Sequence, residues 1–233
     1  MLYKSREAAY QAYRESPDRF FERYHECWFN EKDLISPDWK WYETKYHYNL
    51  VENTIIDLLR CHFSTITGKT VLDVGSGTGH WIDFYHRYLE ADQLVGTDFS
   101  KVCVQQLVQR YERQTDIRVL QMDISEQNDE FTGRFDVINA VGVMFHLVDE
   151  KQWARAVANL LGYLARGGIA IIGGEFGPDT REMGVMRKHR SLDCWKRLLQ
   201  RHGGDVMDVR YHNWFKGGVN EGLKNNLLTF TRA

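Results

Sequence analysis

The segment that most constrains this chain runs from Val71 to Gly79. A short apolar stretch, Val71-Leu72-Asp73-Val74, is followed by Gly75-Ser76-Gly77-Thr78-Gly79 and then by a helix-like run from His80. Alternating glycines let the backbone turn sharply out of a strand and let a ligand approach the main chain closely. The helix that follows offers unpaired N–H groups at its start. Nineteen positions beyond Gly79, Asp98 closes the next apolar run, Leu94 to Asp98. In an open parallel sheet this is where a carboxylate accepts hydrogen bonds from ribose hydroxyls, beyond the carboxyl ends of the strands.

The same alternation continues. Apolar runs at 71–74, 94–98, 117–122, 135–141 and 169–173 are separated by helical patterns at 80–90, 101–113 and 150–164. Nearly continuous apolar strands alternating with helices predict parallel strands buried on both faces. A helix over 191–202 and two late strands, 206–211 and 227–231, complete the pattern. Lacking a helix between them, the late strands pair as an antiparallel hairpin, the last one inserted into the sheet. The expected fold class is α/β: a doubly wound, mostly parallel seven-stranded sheet with an antiparallel C-terminal hairpin strand and an N-terminal helical cap.

That cap is set off by composition, since all nineteen glycines fall after Thr67. Helices are expected over 3–15 and 18–28, punctuated by Ser16-Pro17-Asp18, and a third from Ser36-Pro37-Asp38 to about His62. The second half of this third helix carries a core-facing stripe, Val51, Ile55, Leu58 and Leu59. Its first half is aromatic, with Trp41, Tyr42, Tyr46 and Tyr48, and suits a lid. The expected division is a cap or lid over 1–66 and a sheet domain over 67–233.

Composition excludes other classes. No apolar run reaches membrane-spanning length, and the charged first twenty residues lack the apolar core of a secretory signal. A net charge of −2 argues against a nucleic-acid footprint. Cys27, Cys61, Cys103 and Cys194 form no CxxC pair, which fits reduced thiols and a cytoplasmic location better than disulfides or a zinc knuckle. The oligomeric state is left open.

Two ligands compete for the glycine loop. A dinucleotide prefers GxGxxG and rests its pyrophosphate on the helix end. Here the spacing is GxGxG, and Asp73 would repel a pyrophosphate while attracting an ammonium group. S-adenosylmethionine carries an ammonium, a ribose and a sulfonium, and no phosphate, so charge favours it. The segment VLDVGSGTG resembles the first motif of the class I (Rossmann-like) S-adenosylmethionine-dependent methyltransferases. TDFS resembles the second acidic motif, at Asp98, and QMDIS the adenine-holding site, at Asp123 and Ile124. FDVINAVGVMFHL resembles the fourth-strand motif and GGIAIIGGEF the fifth strand. The resemblance covers about residues 68–175 and implies a cofactor site of Asp73, Gly75, Ser76, Gly77, Gly79, Trp81, Asp98, Phe99, Asp123, Ile124, Asn139 and Val141. Asp123 could equally serve an Asx-type turn.

Small-molecule members of the resembled group often have a histidine where this chain has His146. A neutral imidazole there could take a hydroxyl proton as the methyl arrives; it could also merely bond backbone. The tetrad Asn139-Ala140-Val141-Gly142 lacks the proline and aromatic residues common in nucleic-acid and protein amide methyltransferases of this fold. Metal-ligand spacing such as HxxxH is missing around the site, though carboxylates alone could bind a magnesium ion. A basic cluster, Arg187-Lys188-His189-Arg190, precedes a serine-capped helix and fits an anion site or an ordinary solvated loop. Trp41, Tyr42, Tyr46, Arg187, Arg190 and Trp214 are the expected acceptor contacts. The implied activity is methyl transfer to a small molecule, most naturally at a hydroxyl or carboxyl oxygen. Its rivals are methylation of an amine, tRNA or protein, and a cofactor-binding regulator without chemistry.

Overall fold

The computed structural model describes residues 6–28, 40–211 and 226–232. Nine strands occur among them: β1 (Thr70–Val74), β2 (Gln93–Asp98), β3 (Ile117–Gln121), β4 (Phe135–Val141), β5 (Leu164–Gly174), β6 (Arg181–Glu182), β7 (Lys188–His189), β8 (Gly204–Tyr211) and β9 (Asn226–Arg232). Seven of them form one sheet in the order β3-β2-β1-β4-β5-β9-β8. The first five are mutually parallel, and β9 runs antiparallel between β5 and β8. The expected α/β sheet, with its inserted last strand, is therefore present.

Burial alternates as a doubly covered sheet requires. Val71, Val137, Ile169 and Ile171 face one core, which they share with Val51, Ile55 and Leu59 of helix α3 (Trp41–His62). Leu72, Val74, Ile138, Ala140 and Ile172 face the other. That core holds Trp153 and Leu160 of α6 (Glu150–Tyr163) and Trp195 and Leu199 of α7 (Leu192–Arg201). The two-residue period of the strands thus decides which helix layer each side chain meets.

Four details differ from the sequence pattern. The helix after the glycine loop is α-helical only over α4 (His80–Asp83) and continues as a π-helical turn, Phe84–Tyr88. Strand β5 begins at Leu164, five residues early, with a shift of register between Phe135 and Val137 that takes up the extra length. The pair β6–β7 forms a small antiparallel hairpin beyond the fifth strand. Helix α3 starts at Trp41 and not at Ser36 as expected, because Lys40 is extended (φ −78°, ψ 155°) and serves as its N-cap; Ser36 itself lies outside the described residues.

Before the sheet, α1 (Arg6–Glu15) and α2 (Pro17–Trp28) pack on each other through Tyr13, Phe20 and Phe21, with edge-to-face rings 5.5–5.9 Å apart. Helix α2 then lies on α5 (Lys101–Arg110). Glu22 accepts hydrogen bonds there from the amides of Lys101 (2.6 Å) and Val102 (3.3 Å) and from Ser100 Oγ (3.3 Å). A carboxylate at the positive end of a helix, bonded to its free amides, is a favourable contact.

Candidate cofactor and acceptor site

At the carboxyl end of β1 the chain turns through Gly75 and Gly79, at φ +67° and +89°. A side chain at Gly75 would begin 2.4 Å from Val143 Cγ2, so the loop after β4 can close against the loop after β1 only with glycine there. Ser76 N–H donates to Thr97 O (2.9 Å), and Ser76 Oγ donates to Asp73 O (3.2 Å). Gly77 N–H donates to Asp98 Oδ2 (2.9 Å), while Ser100 N–H donates to Asp98 Oδ1 (2.8 Å). The acidic end of β2 is thereby tied to the glycine loop. Burial raises the Asp98 pKa.

Asp73 lies deepest. It is fully buried, in register with Asn139 across β1 and β4. Asn139 Nδ2 donates to Asp73 Oδ1 at 2.7 Å, and Tyr85 OH donates to Asn139 Oδ1 at 3.4 Å. Asp73 Oδ2 is buried with no hydrogen-bond partner. Taken out of water without a cation beside it, the carboxyl is pushed up to about 7. A buried carboxylate oxygen lacking a partner needs a donor, preferably a charged one. The α-ammonium of S-adenosylmethionine supplies one, so the residues present fit that cofactor.

Asp123 follows β3 and accepts from Ser125 N–H (2.8 Å) in an Asx-type turn, with Ile124 buried beside it. Met122 N–H donates to Asp98 O (2.9 Å), which joins the ends of β2 and β3. Val141 ends β4 on the same rim, opposite Gly173. Phe99 packs edge-to-face on Phe21 at 5.4 Å. Trp81 does not join this rim as expected. It is buried among Tyr48, Phe84 and the α3 layer, because α4 turns its second residue toward the core.

The 3-10 turn Met144–His146 follows β4. His146 Nδ1 faces Met186 O at 3.0 Å. A carbonyl can only accept, so Nδ1 carries the proton and Nε2 keeps its lone pair. Phe21 packs on the ring edge-to-face at 5.3 Å, and Tyr13 OH donates to His146 O (3.4 Å). Burial, helped by Arg187 and His189, pushes the His146 pKa down to about 4. The ordinary value for a histidine is about 6.5.

The basic cluster divides. Arg190 is 3% exposed, donates from Nε to Glu150 Oε2 (3.2 Å) and from Nη2 to Leu147 O (2.9 Å), and lies 4.2 Å from the Trp153 ring centroid. It is a buried strut between β7 and the loop after β4, not the open anion contact expected. The charge needed to balance it comes from within the fold. Lys188 is held by Glu150 (2.9 Å) and Glu182 (3.1 Å). Arg187 is exposed on the β6–β7 hairpin, close enough to act on His146. Trp41, Tyr42 and Tyr46 are exposed by 54%, 65% and 49% at the start of α3. Tyr48, one turn on, stacks on His80 at 3.4 Å, just after the glycine loop. Trp214 lies outside the described residues.

Sequence reasoning missed the part played by α2. Phe21, Glu22 and His25 reach Phe99, Ser100, Lys101, Asp98 and His146. The amphipathic pattern of SPDRFFERYHECW announces a helix with an apolar face, but no signal in it says where that face docks.

Residues 71–168 match the protein family described as methyltransferase domain. Over 107 residues the chain is 28% identical to a ubiquinone biosynthesis O-methyltransferase of Erwinia tasmaniensis, a match covering 46% of this chain and 43% of that protein. It therefore spans less than half the length of that relative. Among solved structures, magnesium protoporphyrin IX methyltransferase of Synechocystis, with bound S-adenosylmethionine, superposes with a TM-score of 0.63 at 13% identity, over 97% of each chain. The 1,6-didemethyltoxoflavin-N1-methyltransferase of Burkholderia thailandensis, with 1,6-didemethyltoxoflavin and S-adenosylhomocysteine bound, gives 0.60 at 15%, over 81% of this chain and 90% of that one. Residues 71–168 thus match a methyltransferase domain, and the fold around them, with the glycine loop at the end of β1, is that of the class I, Rossmann-like S-adenosylmethionine-dependent methyltransferases. The resemblance of the motifs is borne out, and S-adenosylmethionine is the cofactor of such a domain.

Proposed function

We propose that this chain transfers the methyl group of S-adenosylmethionine to an oxygen of a small-molecule acceptor. The observation that carries the reading is the unpartnered, fully buried Oδ2 of Asp73 beneath the glycine loop, which calls for a cationic donor. When bound, the cofactor supplies an electrophilic methyl on a sulfonium. The chain's own residues do the remainder. Asp73 takes the ammonium, and Asp98 takes ribose hydroxyls while its loop bonds hold it in place. Ile124 offers an apolar wall to adenine, beside Asp123.

His146 supports oxygen as the acceptor atom. Its protonated Nδ1 is committed to Met186 O, and Nε2 remains a neutral acceptor well below pH 7. A hydroxyl becomes strongly acidic as a methyl adds to it, so even a weak base at Nε2 can take the proton late in the transfer. A carboxylate acceptor would need alignment only. Arg187, exposed on the hairpin near His146, suits an anionic group on the acceptor. The aromatic start of α3 and the α1–α2 pair would exclude water around it.

Calorimetry with S-adenosylhomocysteine and with NAD tests the cofactor assignment. S-adenosylhomocysteine should bind and NAD should not, because Asp73 offers a buried anion where a pyrophosphate would come. Asp98→Asn should weaken S-adenosylhomocysteine binding by about 1.5–3 kcal/mol, the scale of a charge-assisted hydrogen bond. Binding of NAD alone would overturn the reading.

A further inference from the structure

Helix α2 brings His25 to the ribose end of the site. The residue is 9% exposed, and its Nδ1 is buried with no hydrogen-bond partner. One ring nitrogen lies within 4.8 Å of an Asp98 carboxylate oxygen, yet the two form neither a hydrogen bond nor an ion pair. That gap has a size. An oxygen hydrogen-bonded to both at about 2.8 Å, with a tetrahedral angle between them, sets its partners about 4.6 Å apart. A direct contact is too long, and one bridging hydroxyl fits. The neighbours hold the ring there: Phe21 and Tyr24 pack on it at 6.2 and 5.9 Å, and Glu22 fixes α2 to the α5 amides one turn away.

We propose that His25 is a cofactor-binding residue contributed by the N-terminal helices, sharing one ribose hydroxyl with Asp98. The proposal rests on the cofactor reading above and extends it. The hydroxyl donates its proton to the carboxylate and accepts a second hydrogen bond from the imidazole N–H, so neither buried group is left unpaired. The cofactor then becomes the piece that joins α2 to the end of β2. Cys103 Sγ lies in the same cluster. Burial pushes its pKa up, which favours the thiol.

The test titrates S-adenosylhomocysteine and its 2′-deoxy and 3′-deoxy analogues into wild type, His25→Ala and His25→Gln. His25→Ala should weaken the parent ligand by about five- to tenfold, the scale of one neutral hydrogen bond. His25→Gln, which keeps a donor and an acceptor on the helix, should recover part of the loss. The penalty should largely vanish for whichever analogue lacks the shared hydroxyl. A merely structural histidine would give the same penalty with all three ligands, and that result overturns the proposal. So would tight Zn²⁺ binding without cofactor that is abolished in both His25→Ala and Cys103→Ala, which makes the cluster a metal site. If wild type binds S-adenosylhomocysteine through Asp98 while His25→Ala is silent, only the role of His25 falls. If wild type does not bind it at all, the cofactor reading fails first.

Discussion

His146 shows how the environment of one side chain resets a functional expectation. From its type alone it should lose activity near pH 6.5, as the imidazole charges. Under Phe21, beside the Arg187 charge, it stays neutral to about pH 4. With a hydroxyl acceptor, His146→Ala should lower kcat by about 10²–10⁴-fold while S-adenosylhomocysteine affinity is kept. The acidic limb of the wild-type pH profile should lie near 4 and be missing in the variant. A limb at 6.5, or full kcat in His146→Ala, would remove the histidine from the proton path. The glycine loop could be read from sequence because its backbone is encoded locally: alternating glycines and an acidic strand end favour the same turn out of a strand. Arg190 could not. Whether an arginine faces a ligand or a buried glutamate depends on Glu150, forty positions away, and no local pattern reports that distance.

Among the elements, α2 has the least autonomy and the widest reach. Its hold on the sheet depends heavily on Glu22, whose carboxylate meets two α5 amides and the Ser100 hydroxyl. Ser100 already caps α5 through the Cys103 amide, so Glu22 adds to an existing start rather than creating one. Glu22→Ala should therefore leave α5 and the sheet intact. It should cost about 0.5–2 kcal/mol of stability and speed limited proteolysis within α2, with weaker cofactor binding. Unchanged cleavage kinetics would mean that the rings of Phe20 and Phe21 suffice to hold the helix. Strands β1, β2, β4 and β5 were legible because each carries a short apolar run between breakers, buried on both faces. The docking of α1 and α2 was not, since an amphipathic helix specifies that it will bury a face and not against what. The π-helical turn after α4 also lay beyond reach, for its bonds are set by packing around Tyr85.

At the scale of the whole molecule two buried groups pull stability in opposite directions with pH. Asp73 is raised to about 7 when folded, so its contribution is fully present below the unfolded value near 3.9 and is lost as pH rises through 7. His146 is lowered to about 4, so its contribution is present above 6.5 and is lost as pH falls through 4. Between 4 and 6.5 the two slopes offset each other. A bound ammonium removes the Asp73 side of that balance. The rise in Tm produced by saturating S-adenosylhomocysteine should thus grow from pH 5 to about pH 7.5 and then level off. A rise independent of pH would show that Asp73 does not meet the ammonium.

Strand β9 pairs with β5 across a separation of 62 residues, Ile169 with Thr231, and stands between β5 and β8. During synthesis β8 emerges first and finds no neighbour on the growing sheet, because its only partner among the described strands has not yet been made. Five parallel strands and their helices can assemble while the chain is being extended, with the edge of β5 exposed. Closure of that edge must then run against the order of translation, as β9 slots in and carries β8 with it. A ribosome stalled before residue 226 would hold a half-sheet with a long apolar rim, the kind of edge that pairs with other chains. The vulnerable moment in the making of this fold is therefore the interval between the emergence of β8 and that of β9, a stage at which the glycine loop is already complete.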